Sequence, residues 1–105
     1  MSKEYCVVLT TTGSDEAAAD LASSIIAAKL AACVQIQTIR SVYCWKGETC
    51  VEPESLLFIK TRGDLYPQLE AHIKANHSYE TPEIVQIPIT AGSAEYLTWI
   101  DESTK

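Results

Sequence analysis

The chain has few of the features that declare a function outright. In 105 residues it holds two histidines, four glycines, four prolines and one methionine. None of its four cysteines stands in a C-x-x-C pair, and only His72 and His77 could complete a zinc site with them. Basic residues are scarce: eight Lys and Arg against fourteen Asp and Glu give a net charge of −6. With no basic run to neutralise phosphates, a nucleic-acid partner is disfavoured. No apolar run approaches the roughly 20 residues of a membrane span, and the opening MSKEYC lacks the layout of a signal peptide. No G-x-S-x-G, Walker loop or H-E-x-x-H helix is present, so nothing positive argues for an enzyme. These absences point to a soluble, acidic, cytoplasmic protein with no membrane partner. Cys6, Cys33, Cys44 and Cys50 then read as free thiols used as small apolar residues.

What the chain does have is a core. Apolar residues make up 47% and charged residues 21%, enough for a single domain over residues 1–105. Tyr5 to Thr12 is β-branched and aromatic and reads as a buried strand. Ser14 follows as a helix N-cap, with Asp15 and Glu16 at the positive end of the dipole. Ala18, Leu21, Ala22, Ile25, Ile26 and Leu30 recur at helical spacing. Ala32 to Trp45 alternates as a long strand, with a phase shift near Thr38 to Arg40 that predicts a bulge. Lys46-Gly47-Glu48 is a turn signal, and Glu54 to Thr61 is the return strand behind an irregular stretch at Pro53.

Gly63-Asp64 opens a second helix with Asp64 as N-cap and Pro67 in its first turn; Leu65, Leu69 and Ile73 form the stripe. Glu83 to Ile89 is a fourth strand that Pro88 confines to an edge, and Ser93 to Ser103 is a tail helix with Tyr96, Leu97, Trp99 and Ile100 on one side. The order βαββαβ plus a helix matches an α+β, ferredoxin-like sandwich. One short tail helix cannot cover the second face of such a sheet, so an oligomer is expected.

The polar residues worth weighing cluster after the second helix: His77, Tyr79, Glu80 and Glu83. A histidine beside a carboxylate can move protons or ligate a metal; it can equally cap a loop. Lys60 and Arg62 end a strand, and Tyr43, Trp45, Tyr79 and Trp99 are aromatics with polar handles, a type enriched at interfaces.

Five blocks in order, KLAACVQI, SVYCWKGE, LLFIKT, HSYETPEIVQIPI and YLTWI, together resemble the CutA divalent-cation-tolerance family across nearly the whole chain. The resemblance implies a homotrimer in the cytoplasm, linked to tolerance of copper and other divalent metals. Three positions depart from the family pattern: Ser78 replaces a loop proline, Thr10 stands where copper-binding relatives have cysteine, and Asn76 where they have histidine. Glu83, with His77 beside it, is what remains of that ligand set.

Three expectations follow. The chain is a homotrimer. Cys44 and Cys50, each three residues from Gly47, face each other across the hairpin. An inter-subunit cleft is lined by Tyr43, Lys60, His77, Tyr79, Glu80 and Glu83, where His77 and Glu83 hold copper or another divalent cation at about micromolar affinity or weaker. Lys60 beside His77 also suits an anionic metabolite, as in the similarly built nitrogen-regulatory PII proteins. A ligand-free adaptor trimer and an enzyme using His77 and Glu83 are the other readings.

Overall fold

The structure, a computed structural model, describes residues 4–105. The β-branched run Tyr5–Thr12 forms strand β1 and turns Cys6, Val8 and Thr10 inward. Helix α1 (Asp15–Ala27) follows, and the Ser14 hydroxyl accepts the Ala17 N–H at 3.1 Å, as the sequence indicates. Its inner stripe is Ala18, Leu21, Ala22 and Ile25. Ile26 does not join it and is 41% exposed. Ile25 already holds the inward position, and the next residue is rotated about 100° away. The helix closes with Lys29 N–H on Ile26 O at 3.0 Å and Leu30 N–H on Ile25 O at 3.2 Å, a Schellman cap. That cap puts Lys29 at φ 59°, where glycine is the usual occupant.

Strands β2 (Cys33–Trp45) and β3 (Glu48–Arg62) pair without a break from Cys33↔Lys60 to Trp45↔Glu48. The bulge expected near Thr38 to Arg40 is therefore absent. The outer half of this ribbon lies beyond the core, so its apolar residues have no inward face to keep to. The connection is a two-residue loop, Lys46 and Gly47 at φ 51° and 81°, the left-handed pair that matches strand twist. Its centre lies between those residues, not on Gly47. Tyr43 thus opposes Cys50, and Cys44 opposes Thr49. A slip of one residue reverses the face, so Cys44 and Cys50 point to opposite sides and the expected pair does not form. All four cysteines are free. Pro53 sits inside β3 opposite Arg40, beyond the Thr12↔Ser55 pair that ends β1. There β3 has a neighbour on one side only, which a proline tolerates.

Asp64 does not cap the second helix. A 3-10 turn (Gly63–Leu65) intervenes, and the Asp64 carboxylate accepts Arg62 Nε–H at 2.9 Å instead. Helix α2 (Tyr66–Ala75) carries Pro67 in its first turn and buries Leu69 and Ile73, with Leu65 just ahead. Strand β4 (Ile84–Ile89) pairs with β1 from Thr10↔Ile84 to Tyr5↔Ile89. The sheet order is β2-β3-β1-β4, all antiparallel, with β4 at the edge as Pro88 demands. This is the ferredoxin-like arrangement. Helices α1 and α2 pack on one face, over Cys6, Val8, Leu57 and Ile59.

The other face is only partly covered. Helix α3 (Ala94–Glu102), capped by Ser93, buries Ile100 alone, while Tyr96 and Trp99 stay exposed. It sits over the end of β3: Lys60 Nζ lies 5.9 Å from the Tyr96 ring centre, and Asp101 is 3.5 Å from Arg62. On this face Val85 and Ile87 remain open on β4 and Tyr43 and Trp45 on the outer ribbon; Val42 and Val51, 66% and 59% exposed, lie on the ribbon's reverse side. The radius of gyration, 14.3 Å, exceeds the roughly 12.9 Å of a compact domain of this length. The excess is the ribbon.

Candidate functional site

The loop from His77 to Glu83 leaves the end of α2 and enters β4 beside the last residues of β1. His77 fixes it there. Its Nε2 lies 2.6 Å from the Thr11 carbonyl, which can only accept, so this nitrogen carries the proton. Its Nδ1 accepts the Tyr79 N–H at 3.1 Å, and the two rings lie 4.7 Å apart. Both imidazole nitrogens are thereby engaged, and neither offers a lone pair to a cation. His77 is a positioning residue in this geometry.

What it positions is Tyr79. The Tyr79 hydroxyl donates to Glu54 Oε2 at 2.8 Å and passes over Gly13, where a Cβ would meet the hydroxyl oxygen at 3.3 Å. Further out, the Tyr43 hydroxyl donates to Glu52 Oε1 at 2.8 Å. Strand alternation puts Cys50, Glu52 and Glu54 on one face of β3, with Tyr43 directly opposite Cys50. The Glu52 hydrogen bond, reinforced by partial desolvation and nearby carboxylates, pushes the Tyr43 phenol up to about 12. Burial first, and the Glu54 bond second, raise that of Tyr79. Two phenols thus stay protonated and hold two carboxylates at the base of the ribbon.

Lys60 stands apart. It lies on the same face of β3 as Glu54, but six residues along, about 20 Å at strand rise. Its Nζ donates to Gln35 Oε1 at 2.6 Å, and Cys33 is its partner across the strands. A single chain therefore joins His77, Tyr79 and Tyr43 to the ribbon acids and leaves Lys60 at the far end of the sheet. Within one chain the two lie apart because Lys60 ends β3 where β4 also ends, whereas the loop enters at β4's beginning; the expected cleft lies between subunits. Glu80 and Glu83 are exposed, with no hydrogen-bond or ion-pair partner among the described residues. Also among the described residues, no three His, Cys, Asp or Glu side chains converge as a metal cage. Thr10 is fully buried and its hydroxyl has no hydrogen-bond partner among the described residues.

Sequence reasoning overlooked Glu52 and Glu54. The signal was present as the period-two run Cys50, Glu52, Glu54, but Pro53 argued against a strand there.

A family model described as CutA1 divalent ion tolerance protein matches residues 6–103. The chain belongs to the CutA1 family. Among curated CutA relatives, the chloroplastic CutA 1 of Oryza sativa subsp. japonica is 48% identical over 100 residues, covering 94% of this chain and 56% of that protein. The chain thus spans about half the length of the plant relatives it matches, the Arabidopsis thaliana protein included at 55%. The divalent-cation tolerance protein CutA of Thermus thermophilus is 43% identical over 99 residues, 93% of this chain and 96% of its own. The crystal structure of Oryza sativa CutA1 superposes with a TM-score of 0.94 at 47% identity, covering 97% of this chain and 94% of that one. The periplasmic divalent cation tolerance protein CutA of Archaeoglobus fulgidus gives 0.94 at 38% identity, covering 96% and 99%. The described sheet order is therefore that of the CutA1 structures on which the chain superposes.

Proposed function

We propose that this CutA1 chain serves divalent-cation tolerance as a cytoplasmic homotrimer, and that it contacts cations weakly between subunits. The observation that carries the reading is the uncovered face. Val85 and Ile87 on β4, with Tyr43 and Trp45 on the outer ribbon, expose apolar surface on that face that a soluble monomer would bury, and β2 and β4 both present open edges. Closed association of identical chains removes both problems. The same face carries the tethered Glu52 and Glu54, with Glu83 on the neighbouring loop. One chain supplies too few ligands for a closed site, so the affinity is about micromolar or weaker, and water fills most positions. The free state of all four thiols fits a reducing compartment.

Light scattering tests the assembly: a mass near three times 11.5 kDa is expected, and a monomer overturns the reading. Copper titration by calorimetry tests the site in wild type, Glu54→Gln, Glu83→Gln and His77→Ala. Weakening in the two glutamate variants is expected, and equal affinity in all four proteins removes the metal from this face. A second reading rests on Lys60, whose ammonium is held by a neutral amide and an aromatic ring rather than a carboxylate. It leaves a positive charge available to an anionic metabolite. Saturable binding of such an anion that Lys60→Met abolishes would favour it, and binding of neither ligand would leave an adaptor trimer.

A further inference from the structure

On the opposite, helical side of the sheet, α1 and the start of the α2–β4 loop enclose a groove of about 260 Å³. That is room for a small molecule, since a water takes about 30 Å³ of liquid. Apart from the Ser78 hydroxyl, its side-chain donors are largely turned into the protein. The Thr12 hydroxyl donates to Ser14 O and that of Ser24 to Leu21 O, each at 2.8 Å. With its proton so directed, Ser24 Oγ accepts from His72 Nε2 at 2.8 Å. His77 Nε2–H is held by Thr11 O, and an Asn76 Nδ2 proton by His72 O at 2.8 Å.

What faces the groove is mainly acceptors. The Asp20 carboxylate has no partner among the described residues, and Asn76, whose Oδ1 has none there either, lines the same groove. The carboxyl end of α2 adds partial negative charge, and Lys74 in its last turn is directed to Glu70 at 3.5 Å. Ala17 and Leu21 supply an apolar wall. We propose that this groove binds a small alkylammonium ion: N–H donors on a charged head for Asp20 and Asn76, and a short hydrocarbon stem for the wall. A bare divalent cation suits it less, because hard cations take about six or more oxygens and a single carboxylate lines the groove. The site shares no carboxylate with the cation face proposed above, so the two stand or fall separately.

The test is a titration of the isotope-labelled full chain with n-butylammonium at constant ionic strength, following backbone amide shifts. Saturable shifts confined to residues 17–24 and 76–78 are expected. Asp20→Asn, a change at an exposed position, should weaken binding about fivefold or more, and tetramethylammonium, which has the same charge but no N–H, should bind weaker than n-butylammonium by a similar factor. Non-saturating shifts spread over the acidic surface overturn the proposal. So does equal binding by Asp20→Asn, or by tetramethylammonium.

Discussion

Tyr79→Phe removes one oxygen and leaves the ring in place on His77. The lost interaction is the hydrogen bond from the phenol to the Glu54 carboxylate at 2.8 Å. A bond to a charged acceptor contributes about 1.5–3 kcal/mol when buried. Here both residues are only half-buried, so water reaches Glu54 once the phenol has gone, and the cost falls to about 1 kcal/mol. In urea that is a midpoint shift of about 0.5–1 M with an unchanged slope. Glu54→Gln keeps an acceptor and should lose about half as much, since a neutral bond replaces a charged one. The double variant should fall short of the sum of the two, because the second change has no bond left to break. The assay is equilibrium unfolding of the four proteins at one fixed concentration, which matters for an assembly. Additive losses, or no loss for Tyr79→Phe, would refute the view that this phenol ties the loop to the ribbon.

Three further outcomes are expected. Leu57→Ala, at a fully buried position, should cost about 2–5 kcal/mol and show as a large drop in melting temperature. Lys29→Gly relieves the left-handed φ of 59° at the end of α1 and should raise stability by about 0.5–1 kcal/mol in the same measurement. Tyr43 and Tyr79 bind their phenolic protons more tightly folded than unfolded, so their contribution is complete below the ordinary tyrosine value of 10 and is lost as pH rises through 10 towards 12. Alkaline unfolding should therefore begin above pH 10, and Tyr43→Phe should remove one late step from the phenolate absorbance curve.

Wherever burial enforces a period, the sequence was legible. The Ser14 cap, the stripes of α1 and α2 and the edge position of β4 all follow from core contacts or backbone chemistry that act locally. The outer ribbon was not, because its residues answer to surfaces absent from one chain, and alternation loses meaning there. A half-residue difference in the turn centre then sufficed to exchange the faces of Cys44 and Cys50. The candidate site was legible as a set of residue types but not as a constellation. Tyr79 and Tyr43 do lie near one another, through Glu54 and Glu52, and His77 belongs with them as a positioning residue. Lys60 does not join them within one chain, because which ends of antiparallel strands coincide is a property of the whole sheet. Lys29 had no signal at all: a lysine in a cap that favours glycine looks like any helix surface lysine.

The first strand made is the last to be completed. β1 lies between β3 and β4, with Tyr5 opposite both Arg62 and Ile89. A chain synthesised from its amino end carries YCVVL without either neighbour until most of the sequence has been released. The ribbon has no such delay, since its two-residue loop brings its strands together with the smallest loss of chain freedom. An uncharged β-branched segment left unpaired is the kind that associates with copies of itself. The kinetic hazard of this fold therefore lies in β1, the strand most thoroughly protected in the finished molecule, and not in the ribbon that looks most exposed.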